Sequence, residues 1–412
     1  VRIAIIGAGI AGIATASLLD ADHEVVVFEA ADRLGGHSHT VEVKLDGTPI
    51  GIDTGFIVHN ERNYPVFRSL LERWGVECQA SDMSFSVSVP STGLEYSGAG
   101  FGGLFAQRGN LLRPSFWRLL TEIARFGRRG RAALAAGGLD PTVTTAHFLA
   151  ANGLTGRFRR DYLVPLGSAV WSANPQRLED FPAEALLRFL DNHGLLVFRD
   201  RPRWLTITGG SRRYLEAFAA SCAAELRTSS AVASLERCED HVIVTSSEGA
   251  ERFDLAVVAT HSDEALALLA DPSAAEVEVL SAVRYRLNDV VLHSDASAMP
   301  ANRRAWASWN YLRDAEEGSA PTVTYWMNRL QDLDCGTDLF VSLNRTSSID
   351  PTKVLGRYRY AHPAYDVAAF AAQQRWAEVN GPRRTYFAGA WWGYGFHEDG
   401  ADSGARVAEA IG

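Results

Sequence analysis

Ile3-Ala4-Ile5-Ile6 is a short apolar run, and Gly7-Ala8-Gly9-Ile10-Ala11-Gly12 follows it directly. An Ala-rich stretch of helical character comes next. A second apolar run, Val25-Val26-Val27-Phe28, then stops at Glu29. This order predicts strand, glycine turn, helix, strand and acid, the plan of a dinucleotide-binding unit. Gly7 permits the tight turn, Gly9 lets backbone approach a pyrophosphate, and Gly12 lets the helix pack against the strand. The helix N-terminus offers free N–H groups and a positive dipole end to phosphate. Glu29 stands 17 residues after Gly12 and can accept hydrogen bonds from both ribose hydroxyls. Ala30, beside that acid, is placed in the same binding set, as are Ile10 and Ala11 within the turn.

Similar patterning recurs much later. Leu205-Thr206-Ile207-Thr208-Gly209-Gly210 leads into a helix, Ser230-Ala231-Val232 and alternating strands, ending in Phe253–Thr260. Tyr386-Phe387-Ala388-Gly389-Ala390 leads into a final Ala-rich helix. The stretches 1–85, 205–265 and 380–412 are therefore expected to build one discontinuous nucleotide-binding domain. Residues 86–204 and 266–379 are expected to form a second, inserted domain.

Bulk properties narrow the picture. At 412 residues the chain is long enough for two domains. A net charge of -9 disfavours a general nucleic-acid role. Cys78, Cys222, Cys238 and Cys335 show no CxxC spacing, so neither zinc nor a redox dithiol is expected, and no metal is assigned. The apolar start lacks a basic segment and a cleavage site, and no run of 18 apolar residues exists. A cytoplasmic protein, one able to work at the inner face of the membrane, is expected.

The segment Glu29-x-x-x-Arg33-x-Gly35-Gly36-His37 resembles the second signature of the flavin amine oxidase superfamily, Glu-x-x-x-Arg-x-Gly-Gly-Arg. The superfamily includes monoamine and polyamine oxidases, protoporphyrinogen oxidase and phytoene desaturases. The resemblance implies an α/β fold: a discontinuous Rossmann-type FAD-binding domain with an inserted α+β substrate domain. It implies FAD, held non-covalently because the C-terminal motif has no cysteine. His37 departs from the pattern, replacing a fixed cation with a group that can be neutral at pH 7. By the same resemblance, Val232 holds the adenine through its backbone, and Ala259-Thr260 lies over the pyrophosphate. Thr54-Gly55-Phe56 passes the isoalloxazine, and Gly389-Ala390 meets the ribityl, with Ala390 replacing the usual Asp. His397-Glu398-Asp399 opens the last helix near the flavin, where the two acids are expected to face ribityl hydroxyls.

Longer strings are similar to a narrower group. Among them are Asp53-Thr-Gly-Phe-Ile-Val-His59-Asn60-Glu61-Arg62-Asn-Tyr64-Pro65, Leu94-Glu95-Tyr96-Ser97-Gly98 and Gly389–Gly400. They resemble flavin-amine-oxidase-like proteins encoded beside cyclopropane fatty acid synthase-type methyltransferases. This implies oxidation of a fatty acyl chain, methylated and phospholipid-linked, with hydride passing to flavin N5 and a lipid methyltransferase as partner. Amine or polyamine oxidation stays open, as does a flavin-bound partner or double-bond isomerase role. Asn288 falls at the slot where amine oxidases commonly carry a lysine, which counts against amines. Lys44 and Lys353 are the only lysines in the chain.

An acyl substrate calls for an apolar, aromatic-walled route and a proton acceptor. Tyr325, Trp326, Trp391, Trp392, Tyr394 and Phe396 are the wall candidates. His59, His193 and Glu95, with His397 beside them, are the candidate bases. Residues 108–131 carry seven arginines against one acid, Glu122, interleaved with Phe116, Trp117, Leu119, Leu120, Ile123 and Phe126. Such a helix suits an anionic lipid surface, or lies inside the second domain with its arginines paired elsewhere.

Overall fold

A computed structural model describes the chain apart from residues 46, 141, 155, 172–176, 198–200 and 314–321. Three separated stretches contribute to one five-stranded sheet. Its order is Glu225–Arg227, Glu24–Phe28, Arg2–Ile6, Leu255–Val258 and Thr385–Phe387, and every pairing is parallel. The near-continuous apolar runs noted at the start are those of strands covered on both faces. Ile3 through Ile6 and Val25 through Phe28 are all buried.

The first helix, Ile10–Leu19, is buried almost all round because the last helix, His397–Ile411, lies across it. Small residues set their separation. A Cβ on Gly404 would stand 2.4 Å from the Ala11 carbonyl oxygen, and Thr15 Oγ1 reaches the Gly404 carbonyl at 3.2 Å. The last helix turns Gly400, Ala401, Ser403, Gly404, Val407 and Ala408 inward, the three-and-four spacing of a one-faced helix.

A second, seven-stranded sheet runs Val354–Ala364, Arg284–His293, Phe340–Leu343, Thr322–Trp326, Trp309–Leu312, Phe85–Val89 and Leu94–Ser97. Its pairings are antiparallel except Trp309–Leu312 with Phe85–Val89, which is parallel. Helices Pro114–Ala135 and Ala183–Asn192 share one buried cluster with this sheet: Phe116, Phe126 and Leu187 lie with Val87, Tyr96 and Tyr311. The α/β nucleotide-binding sheet and the mixed second sheet together form the fold expected from the sequence. No helix among the described residues is long and apolar enough to cross a membrane.

Asp53 ends strand Thr48–Asp53, which pairs with Thr40–Leu45, and ties it to Gln331 just after the short helix Met327–Leu330. Its backbone N–H donates to Gln331 Oε1 at 2.9 Å, and Gln331 Nε2 returns a bond to Asp53 Oδ2 at 3.1 Å. Ser211 Oγ and N–H and Thr40 Oγ1 also donate to the carboxylate. Burial pushes the Asp53 carboxyl up, and these donors oppose that shift.

Candidate functional site

The glycine turn shapes a cradle at the end of the parallel sheet, beside Ala259 and the Gly35–Gly36 loop. Gly7 adopts φ +104°, and a Cβ there would lie 2.8 Å from the Ala259 carbonyl oxygen. On Gly12 a Cβ would lie 1.9 Å from the Gly7 carbonyl oxygen. Gly9 is different: a Cβ there would face open space. Gly36, at φ +55°, closes over the turn, its missing Cβ 3.2 Å from Gly9 Cα. Gly35 N–H ties this second glycine pair to the Ala8 carbonyl at 2.8 Å. The first turn of helix Ile10–Leu19, with Ala11 inside it, has no side-chain cap and no acidic residue. Its N–H groups are thus left for an anion beside Gly9.

Glu29 sits at the end of its strand, where Ala8 N–H and Ala31 N–H donate to its two carboxylate oxygens at 2.8 and 2.9 Å. Exposed Ala30 is flanked by Ser229 and Ser230, whose N–H groups bond the Ala31 and Glu29 carbonyls. The buried Ser230 hydroxyl has no protein partner, and Val232 begins the next strand. A cradle open at Gly9, an uncapped helix and an orphaned hydroxyl beside the acid fit the nucleotide half of FAD. Arg33 does different work: its guanidinium binds the Gly36 and Ser38 carbonyls at 2.9 and 3.0 Å, bracing the loop.

Past the cradle, Thr54 and Phe56 N–H groups bond the His39 and His37 carbonyls, and Gly55 leaves no room for a Cβ against the His37 backbone. Phe56 stacks on His397 with ring centroids 3.7 Å apart. His37 Nε2–H donates to the Ala361 carbonyl at 3.0 Å, and its ring lies 5.7 Å from His261 and 5.5 Å from His362. Burial, reinforced by the two neighbouring imidazoles, lowers His37 to about 3. His37 therefore presents a neutral ring where the family signature has a cation. Buried Asn288 donates to His362 Nδ1 at 2.7 Å, and burial lowers His362 to about 4. The slot compared with a lysine thus holds a neutral amide paired to a neutral imidazole.

An aromatic strip leads away from the last helix. Phe396 stacks on Phe189 at 4.8 Å, and Phe189 stacks on His193 at 3.9 Å. Tyr394 meets Phe189 at 6.1 Å and Phe370 at 6.0 Å, and Trp204 meets His193 at 5.8 Å. Trp391 and Trp392 stack on each other at 4.3 Å, their indole N–H groups donating to the Thr260 and Phe387 carbonyls. Gly389 N–H is held by Ser403 Oγ at 3.0 Å, and the Ala390 carbonyl takes the N–H groups of Gly393 and Gly395.

Several expected residues stand elsewhere. Glu95 accepts from Ser88 Oγ, Ala301 N–H and Asn302 N–H, which makes it a clamp between a strand and the 301–302 turn. Trp326 packs on Trp306 at 5.3 Å and donates to Asp338, and Tyr325 packs edge-on against Trp309, so neither joins the strip. Glu398 and Asp399, expected at ribityl hydroxyls, are engaged by backbone N–H groups of the protein. Glu398 accepts from Val66 and Phe67 N–H, capping helix Pro65–Arg73, and Asp399 accepts from Tyr394 and Phe396 N–H. Burial pushes both carboxyls up to about 7, against these N–H donors. His59 is only 1% exposed, boxed in by Tyr64 and Phe67, its Nδ1 unpartnered, and burial lowers it to about 4. Half-buried His397 lies well below the ordinary histidine value for the same reason. Half-buried His193 is the proposed base that does lie on the strip.

Phe189, Trp204, Gln331, His261 and His362 escaped sequence reasoning. Only one readable signal existed: Tyr358, Tyr360 and His362 alternate along one strand and so share a face. Tyr360 uses that face to bond Thr54 Oγ1 at 2.7 Å and His39 Nδ1 at 2.9 Å.

The family model for flavin-containing amine oxidoreductases matches residues 10–297. Among solved structures, a fatty acid isomerase from P. acnes that produces CLA is 17% identical, with a TM-score of 0.70 over 99% of this chain and 98% of its own. Putrescine oxidase bound to putrescine is 14% identical, with a TM-score of 0.71 over 100% and 99%. Cyclohexylamine oxidase from Brevibacterium oxydans is 17% identical, with a TM-score of 0.69 over 100% and 98%. At these identities the likenesses establish the shared fold.

Proposed function

The chain belongs to the flavin-containing amine oxidoreductase family and is an FAD-dependent oxidoreductase, and from that premise we propose that it desaturates a fatty acyl chain. The substrate class is a methylated, phospholipid-linked chain, the kind of product a lipid methyltransferase delivers. The aromatic strip from Phe396 through Phe189 to Tyr394, with uncharged His193 on it, carries this reading. Bound FAD supplies a two-electron acceptor for hydride. One carbon loses hydride, its neighbour loses a proton, and the electron pair left behind becomes the double bond.

The chain's own residues orient the substrate, keep water out and take the proton. His193 Nδ1–H donates to the Phe189 carbonyl at 2.8 Å, which fixes one neutral tautomer and leaves Nε2 as an acceptor. Burial lowers His193 to about 4, so the ring is uncharged at neutral pH. A weak base suffices here, because a C–H beside a carbon losing hydride is strongly acidified. The slot where amine oxidases commonly carry a lysine holds the neutral Asn288, and Glu398 and Asp399 are occupied with backbone N–H groups.

A second reading, double-bond isomerisation without net oxidation, is favoured by the likeness to the fatty acid isomerase of P. acnes. Anaerobic titration of the oxidised-flavin visible band with methylated phospholipid, spermine and simple amines separates the cases. Bleaching by lipid alone is expected. Bleaching by amines alone would overturn the acyl reading. A shifted double bond without bleaching would select the isomerase.

A further inference from the structure

We infer that the tip formed by Phe101, Leu111, Leu112 and Trp117, with the arginine face behind it, docks on the surface of an anionic phospholipid bilayer. These four are among only ten large hydrophobic side chains exposed across the described residues, and they fall within 17 positions of one another. Phe101 is 71% exposed and Leu112 88%, values that leave almost the whole side chain in water.

The tip is built rather than frayed. Phe105, itself buried, holds Phe101 at 4.8 Å on one side and Trp117 at 5.4 Å on the other. Trp117 Nε1–H donates to the Leu111 carbonyl at 2.9 Å, fixing the indole to the Arg108–Leu112 turn. Pro114 starts the following helix, which buries Phe116, Leu119, Phe126, Gly127 and Gly130 against the domain. Gly127 and Gly130 let it press close, for a Cβ on either would fall within 2.6 Å of Leu196 or Leu187.

Its outer face carries more positive charge than its acids offset. The seven arginines of 108–131 are all exposed. Arg118 pairs with Glu122, and Arg131 with Asp191 at 3.6 Å. Among the described residues, Arg108, Arg113, Arg125, Arg128 and Arg129 have no carboxylate partner. The whole chain has a net charge of -9, so this face is a local reversal that non-specific attraction to anions would not produce.

A bilayer suits both halves. Leu112 and Phe101 gain by leaving water, a tryptophan favours the headgroup boundary, and arginines extend their stems while keeping guanidinium with phosphate. Each such cation is attracted to an anionic leaflet, and the attractions add along the face. Docking would hold this oxidoreductase at a lipid surface whatever it oxidises there, so the inference stands apart from the choice of substrate.

Sedimentation of the flavin-loaded protein with vesicles tests it. Phosphatidylcholine alone is compared with an equal mixture of phosphatidylcholine and phosphatidylglycerol. Co-sedimentation with the anionic vesicles alone, weakened by salt, is expected. Arg125→Glu/Arg128→Glu/Arg129→Glu should weaken it on the order of a hundredfold, and Leu112→Glu by about tenfold. Both variants alter exposed side chains and should keep wild-type flavin content, which is checked by absorbance. Absence of binding to anionic vesicles, or equal binding by both variants, would overturn the inference. So would light scattering that finds a dimer which Leu112→Glu converts to monomer without any vesicle binding, since the tip would then belong to a second copy.

Discussion

Single atoms separate the glycines of the cradle from one another. A Cβ on Gly12 would meet the Gly7 carbonyl oxygen at 1.9 Å, so Gly12→Ala should cost on the order of 1–3 kcal/mol or more and lower yield and Tm. At Gly9 the same methyl meets no protein atom. Gly9→Ala should therefore fold with a near-wild-type apoprotein Tm yet purify with less flavin, a comparison made by absorbance after denaturing release. Histidines separate in the same way. His193 offers a free Nε2 on the strip, whereas His59 is sealed among Tyr64 and Phe67. His193→Gln should keep FAD and slow lipid-driven flavin bleaching roughly 10²- to 10⁴-fold in stopped flow, and His59→Gln far less. Equal effects from the two would remove His193 from the proposed role.

At the scale of elements, helix ends matter most. The last helix begins with two acids whose oxygens serve backbone N–H groups of neighbouring segments rather than a ligand. Burial raises both to about 7, against about 4 in an unfolded chain. The folded form therefore keeps protons that the unfolded form has lost. The stability these groups contribute is complete below about pH 4 and is lost as pH rises through about 7. Denaturant midpoints of the apoprotein should accordingly fall between about pH 5 and pH 8. Asp399→Asn, which retains an acceptor for both N–H donors, should flatten that slope. A slope unchanged by the substitution would assign the dependence to other groups. The first helix behaves oppositely: its opening turn has no acid and no cap, consistent with an end kept for a bound anion.

For the whole molecule, the Asp53–Gln331 exchange ties strand Thr48–Asp53 to the segment that follows strand Thr322–Trp326. Gln331 satisfies both a backbone N–H and a buried carboxylate from the other side of the joint. Gln331→Met should leave the Asp53 N–H unpaired, remove one of the donors to its carboxylate and destabilise by on the order of 1–3 kcal/mol, seen as a lower Tm. Because Thr54 and Phe56, which follow Asp53 directly, bond the His39 and His37 carbonyls beside the cradle, looser flavin retention should accompany the loss. A Tm drop with unchanged flavin affinity would show that the joint stabilises the fold without positioning the site.

Much of the nucleotide half was legible in order along the chain. Strand, glycine turn, helix, strand and acid are local facts: each depends on residues within reach of a turn or a hydrogen-bonded neighbour. The glycine requirements follow from backbone sterics, and the strands from unbroken apolar runs. The catalytic half was legible in type but not in place. Aromatic and histidine residues could be named, yet Trp326 and Glu95 went to other clusters, while Phe189 and Trp204 entered the strip unannounced. Residue type fixes what a side chain can do, whereas its partner is chosen only when the elements pack, as where Phe189 meets Phe396 and Glu95 meets the 301–302 turn. His37 shows the division most plainly. The sequence by itself determined that an imidazole stands where the signature has arginine. Only the tertiary structure surrounded it with His261 and His362 and withdrew it from water, and that desolvation is what makes it neutral.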